Sequence, residues 1–245
     1  MKDKKKEFGK ATDRRTMEKY IPVLKKCALF RNMDESELGS LLKCLGAQVR
    51  SFAAEEYIFL AGDEINYVGI VISGVIEIMK ESLAGNKHIV AFLGPSDMFA
   101  EGIVCTANRI SPVTVQANEA SVALMIPYER IIKSCGNSCN FHIGLIQNMM
   151  VVLGEKNVNL NRKLELLTLK GMREKIASFL INEAGMKRSN TFQTLLNRTE
   201  LADYLNVSRT SMCRELARMK EDGLIDFYGS SFKILNKEGL TQCLE

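Results

Sequence analysis

The run from Asn197 to Lys220, NRTELADYLNVSRTSMCRELARMK, constrains this chain more than any other stretch, because it holds two helix starts and a turn at fixed spacing. Asn197 stands three residues before Glu200, which is the spacing of a capping box. Ser208 is placed to cap a second helix in the same way. Leu201 and Leu205 fall on one helical face, Ala202 is small enough for a second helix to approach, and Asn206 suits a left-handed turn residue. Beyond the turn, Val207, Met212, Leu216 and Met219 are expected to face inward. Two capped helices with this turn form a helix-turn-helix, whose second helix enters the DNA major groove.

The outward face of the second helix carries Ser208, Arg209, Thr210, Ser211, Arg214, Arg218 and Lys220, the candidate DNA-binding residues. Arginine bonds O6 and N7 of guanine together, which makes Arg209 and Arg214 candidate base readers, whereas Lys220 suits phosphate. Two arginines alone would be ordinary surface charges. The complete arrangement of caps, small residue and turn is what makes them readers. Downstream, Gly223–Tyr228 and Phe232–Leu235 are β-like runs around Gly229-Ser230-Ser231, so the spacing predicts a hairpin wing.

With 245 residues the chain has room for two domains, and a net charge of +4 does not by itself announce a polyanion partner. No apolar run approaches membrane-spanning length, and Met1 to Lys6 leads into no apolar core, so a cytoplasmic protein with no membrane partner is expected. Seven cysteines without regular spacing argue against a disulfide framework. In chain order, residues 1–20 read as a basic arm with Lys4, Lys5, Lys6, Lys10, Arg14 and Arg15, most simply a solvated segment. Helical spacing begins with Ile21, Leu24, Leu29 and Phe30, and Asp34 with Glu37 starts a helix through Leu45.

From Val49 to Pro127 the texture changes to short β-runs separated by turn residues: 57–60, 67–72, 75–78, 88–93, 113–117 and 121–126. That pattern predicts a sandwich or barrel, here a jelly-roll with an interior that is either a ligand cavity or fully packed. A long helix follows, in which Ile146, Leu153, Leu160 and Leu167 recur every seven residues. A sevenfold apolar repeat predicts a parallel homodimer, with Lys156 and Asn157 near the seam to set register or meet a ligand. The expected organisation is an arm at 1–20, a β-roll sensing domain at 21–138, a dimerisation helix at 139–169 and a winged helix-turn-helix at 170–245. The fold class is α+β.

Roll, dimer helix and winged reader, in that order, resemble the cyclic-AMP receptor protein and fumarate-nitrate reductase regulator family of bacterial transcription factors over nearly the whole chain. Gly62-Asp63, the run from Tyr67 to Ile76 with Gly74, and Gly85 match its roll. Gly94-Pro95-Ser96-Asp97-Met98-Phe99-Ala100-Glu101 looks like the family's Gly-Asp-x-x-Gly-Glu, with Ser96 and Ala100 where glycines are usual. Ser208-Arg209-Thr210-Ser211-Met212-Cys213-Arg214 looks like its Ser-Arg-Glu-Thr-Val-x-Arg, with Thr210 replacing the glutamate that accepts from cytosine. The resemblance implies a regulator of transcription acting on double-stranded operator DNA with RNA polymerase, and Thr210 implies a changed operator.

The family's cyclic-nucleotide binders place an Arg-Ser pair some ten residues after that glutamate to hold the cyclic phosphate. Here those places fall on Ser111 and Pro112, with Arg109 offset, so a cyclic nucleotide is not the expected effector. The family's iron-sulfur branch carries clustered N-terminal cysteines, whereas only Cys27 and Cys44 precede the roll. His88 and His142 read as ordinary strand and helix residues, no zinc spacing occurs, and no metal or cofactor is expected. The leading expectation is an apolar or aromatic effector met by Ile72, Ile89, Phe99, Glu101, Ser111, Met149, Leu153, Lys156 and Asn157. The alternatives are a thiol switch at Cys135 and Cys139, or a cyclic-AMP response on the same fold. The chain lacks a phosphate loop, a Gly-x-Ser-x-Gly and paired carboxylates in a recognisable arrangement, so it is not expected to be an enzyme.

Overall fold

A computed structural model describes residues 18–81, 87–133 and 140–244. The basic run from Lys4 to Arg15, the Gly85 turn and the pair Cys135 and Cys139 lie outside the described residues. Two units divide between Glu155 and Lys156.

In the first unit, α1 (Ile21–Leu24) starts on a proline, a 3₁₀ turn follows at Ala28–Phe30, and α2 (Glu35–Cys44) begins where the sequence signals it. Asp34 accepts from the Glu37 amide at 2.9 Å, and Glu37 accepts from the Asp34 amide at 2.9 Å. This satisfies two backbone donors that a helix start otherwise leaves open. Leu38, Leu41 and Leu42 then face the core.

The β-region contains β1 (Gln48–Phe52), β2 (Tyr57–Phe59), β3 (Tyr67–Ser73), β4 (Ile76–Glu81), β5 (Lys87–Leu93), β6 (Met98–Phe99), β7 (Thr114–Ala117) and β8 (Ser121–Pro127). They form two four-stranded antiparallel sheets, β1-β8-β3-β6 and β2-β7-β4-β5, with α3 (Glu101–Val104) and α4 (Tyr128–Ile132) at their ends. One core joins both sheets through Val68, Ile70, Phe99 and Leu124 on one side and Ile58, Phe59, Ile76 and Val115 on the other. Gly69 is required by this packing, because an added Cβ would sit 2.0 Å from the tip of the Phe99 ring.

The long helix α5 runs from Asn140 to Thr168. Leu145, Met149 and Val152, at three- and four-residue spacing, are buried in the roll's core, while Asn148 donates to the Leu29 and Arg31 carbonyls at 3.0 and 2.9 Å. Further along, Leu160 is 58% exposed and Leu164 52%.

The second unit holds α6 (Met172–Lys187), β9 (Thr191–Gln193), α7 (Arg198–Leu205), α8 (Arg209–Glu221), β10 (Ile225–Tyr228), β11 (Ser231–Ile234) and α9 (Lys237–Gln242). The predicted hairpin is present, and β9 joins it to give the sheet β10-β11-β9. Phe232 anchors it, fully buried between Phe192 and Phe227 with ring centroids 6.2 and 6.1 Å away. Gly171 stands directly before α6. Its φ of −81° is open to any residue, and a Cβ there would meet only the carboxylate end of the flexible Glu174 side chain, at 2.5 Å. Glu174 lies back over the helix start, where it accepts from the Gly171 amide at 3.2 Å.

Candidate functional site

The two reader helices are held by the caps that the sequence places there. Asn197 accepts from the amides of Thr199 and Glu200 at 2.9 and 3.0 Å, and Glu200 reaches back to the Asn197 amide at 2.7 Å. Asn206 ends α7 in the left-handed region, with φ of 52°. Ser208 then accepts from the Ser211 amide at 3.2 Å and opens α8. Leu201, Ala202, Leu205, Met212, Leu216 and Met219 are buried against one another, and Val207 packs partly buried beside them. With that face fixed inward, Arg209, Thr210 and Arg214 are turned to solvent.

The charges on this face are not equivalent. Among the described residues, neither Arg209 nor Arg214 has an acidic partner, so both guanidinium forks are available to a ligand. Arg218 lies 3.4 Å from Glu215, and Lys220 lies 2.6 Å from Asp226. Lys220 holds the Asp226 carboxyl below its ordinary range, chiefly by that hydrogen bond. Ser208 and Ser211 are engaged with each other at the helix start, their hydroxyls 3.1 Å apart.

Two features here have no local sequence signal. Arg198, the first residue of α7, packs against the rings of both Phe227 and Phe232, 4.9 and 4.7 Å from their centroids, and burial lowers its ordinarily very high pKa. Arg173 reaches from α6 to Glu215 on α8 and to Asp222, which caps the end of α8, at 2.6 and 2.8 Å. Both depend on residues far apart in the chain.

In the first unit the candidate effector residues are dispersed. Ile72, Phe99 and Met149 belong to the buried core, with Leu153 packed against it, while Ile89 on the edge strand β5 is 55% exposed. Glu101 is buried at the start of α3, directly after Ala100 with φ of 67°. Ser96, the other residue standing where glycine is usual, has φ of 77°. Both positions therefore adopt the backbone conformation that glycine favours. Ser111 is buried, and its hydroxyl donates to the Val113 carbonyl at 2.7 Å. Arg109 pairs with Glu129 at 3.3 Å, donates to Asn66 at 3.2 Å and covers the Tyr128 ring at 4.9 Å. Its charge is thus already matched. Lys156 and Asn157 fall in the second unit, on an exposed stretch of α5. Among the described residues, no group of three or more His, Cys, Asp or Glu is placed to hold a metal ion, and no helix is long and apolar enough to cross a membrane.

The profile of the cyclic nucleotide-binding domain matches residues 49–137, and that of the Crp-like helix-turn-helix domain matches residues 174–243. The transcriptional activator protein FnrA of Stutzerimonas stutzeri is 26% identical over 191 residues, covering 76% of this chain and 75% of that protein. The fumarate and nitrate reduction regulatory protein of Escherichia coli (strain K12) is 25% identical over 191 residues, covering 76% and 74%. The catabolite activator protein of Thermus thermophilus shares the fold with a TM-score of 0.51, at 21% identity over 89% of this chain and 98% of that one.

Proposed function

Because the chain belongs to the cyclic-AMP receptor protein and fumarate-nitrate reductase regulator family of DNA-binding transcription regulators, we propose that it works as an effector-switched homodimer on a two-fold symmetric operator. The capped α8, which presents Arg209 and Arg214 to solvent with no acidic partner among the described residues, carries this reading. A guanidinium fork left open at the N-terminal end of a reader helix suits guanine in the major groove. Arg218 and Lys220 serve the phosphates, once released from Glu215 and Asp226. Thr210, shorter than a glutamate and without its charge, removes a preference for cytosine at its base.

The second copy is met along the stripe of α5 that includes Leu153, Leu160, Leu164 and Leu167, of which the last three are exposed in one chain. Burying such a stripe between two helices is the ordinary end of a sevenfold repeat. Two readers then lie roughly 34 Å apart, one DNA turn. Residues 1–20, 21–138, 139–169 and 170–245 act as arm, sensor, dimer helix and reader. The site of action is the cytoplasm, with RNA polymerase as the protein partner.

The effector is an apolar or aromatic molecule in the roll, not a cyclic nucleotide. Ser111 occupies the place where a phosphate-binding arginine is usual, and Arg109 is neutralised by Glu129. Duplex selection from a random library, with sedimentation of the free protein, tests the whole reading. A symmetric operator with guanine lost from the preference in Arg209→Ala, and a dimer that Leu160→Lys splits, are the expected results. Calorimetry with cyclic AMP, cyclic GMP and a small aromatic library addresses the trigger. Cyclic-AMP binding that raises operator affinity overturns the effector assignment. Switching by oxidant that disappears in Cys135→Ser moves the sensor to the thiols.

A further inference from the structure

Arg173 stands two residues after Gly171, in the first turn of α6, yet its guanidinium acts on another helix. Its Nε donates to Glu215 at 2.6 Å and its Nη2 to Asp222 at 2.8 Å. Glu215 and Asp222 are seven residues apart, so one planar fork bridges two turns of α8. The Glu215 side chain is only 14% exposed, which withdraws the pair from water more than an ordinary surface pair. Asp222 closes the C-terminal end of α8, where the helix dipole disfavours an anion, and Arg173 supplies the compensating charge. Lys175, on the same turn of α6, is buried with its Nζ 3.4 Å from the Leu205 carbonyl at the end of α7. The first turn of α6 therefore touches both helices of the reader.

We propose that Arg173 is the positioning residue of the reader helix: by bridging Glu215 and Asp222 it fixes the placement of α8, and so sets base discrimination without touching a base. The proposal rests on the DNA-binding reading above. Its physical content lies in the difference between two kinds of contact. Hydrogen bonds to base edges are short and directional, whereas attraction to phosphates is long-ranged and tolerant of small displacements. Loosening α8 thus weakens operator binding far more than binding to an unrelated duplex. The raised pKa of Arg173, caused first by the Glu215 hydrogen bond, agrees with a tightly held pair.

The test measures fluorescence anisotropy on the selected operator and on a scrambled duplex of equal length, at one ionic strength, using the full chain. Arg173→Met is expected to lose roughly 3- to 30-fold on the operator and less than about twofold on the scrambled duplex, the range of coupled contacts. Glu215→Gln should lower the ratio in the same direction. The double variant should be no worse than Arg173→Met alone, because the Arg173 bond to Glu215 is already lost in Arg173→Met. Should Arg173→Met fail to fold by circular dichroism, Arg173→Lys keeps the charge and removes the fork, and it must still lose discrimination. Equal losses on both duplexes, additive losses, or an unchanged ratio overturn the proposal. Wild-type protein that selects no duplex at all instead defeats the DNA-binding reading itself.

Discussion

The reader and the roll use their candidate residues in opposite ways. On α8, Arg209 and Arg214 are exposed and, among the described residues, without acidic partners, held outward by a buried face that includes Met212, Leu216 and Met219. In the roll, Phe99 fills the space above Gly69, Ser111 bonds to Val113, and Arg109 is matched by Glu129. A DNA site needs side chains that fold stability does not consume, and on the proposed reading Arg209 and Arg214 are those side chains. A ligand site inside a sandwich must share its residues with the core.

The sharpest way to break this contrast is to empty the roll. Phe99→Ala should cost about 3 to 5 kcal/mol in denaturant unfolding, since the ring is fully buried between the sheets. A loss below about 1 kcal/mol would mean that the region is loose enough to admit a ligand unaided. On the reader, Arg209→Ala and Arg214→Ala should each cost about 1 to 3 kcal/mol of operator binding while leaving unfolding within about 0.5 kcal/mol. If either changes stability more than binding, the helix face is structural after all. Asn197→Ala should remove about 1 kcal/mol of stability by exposing the start of α7, measured by thermal melting. The smallest effect is expected at Ala100, whose φ of 67° a glycine accepts without strain. Ala100→Gly should gain up to about 1 kcal/mol, the left-handed penalty less the added freedom of the unfolded chain.

Most of the fold was legible where a signal is local. Asp34, Asn197 and Ser208 act as the caps their spacing implies, because a cap needs only a side-chain oxygen and amides two or three residues on. Six β-runs read from composition correspond to β2, β3, β4, β5, β7 and β8. The strands β1, β6 and β9 were not read. Gln48–Phe52 has no simple alternation of buried and exposed residues, and β6 and β9 span only two and three residues. Such short strands exist because partners pair with them, as Phe99 does with Gly69 and Phe192 with Phe232. Of the candidate site, the outward residues of α8 were legible from helical periodicity alone. The bridge from Arg173 was not, because Glu215 lies 42 residues away and no local rule joins them. Neither was the exposure of Ile89, which follows from β5 lying at a sheet edge.

Arg198, packed against both Phe227 and Phe232, ties the start of α7 to the hairpin. A hairpin of this length on its own would open and close within microseconds. Here its opening separates the half-buried Arg198 cation from two aromatic rings, which couples the hairpin to the start of the first reader helix. Amide hydrogen exchange would record a shared rate for Phe232 and Leu201, and the hairpin end carrying Tyr228, 90% exposed, would keep a spacing from α7 that this contact sets.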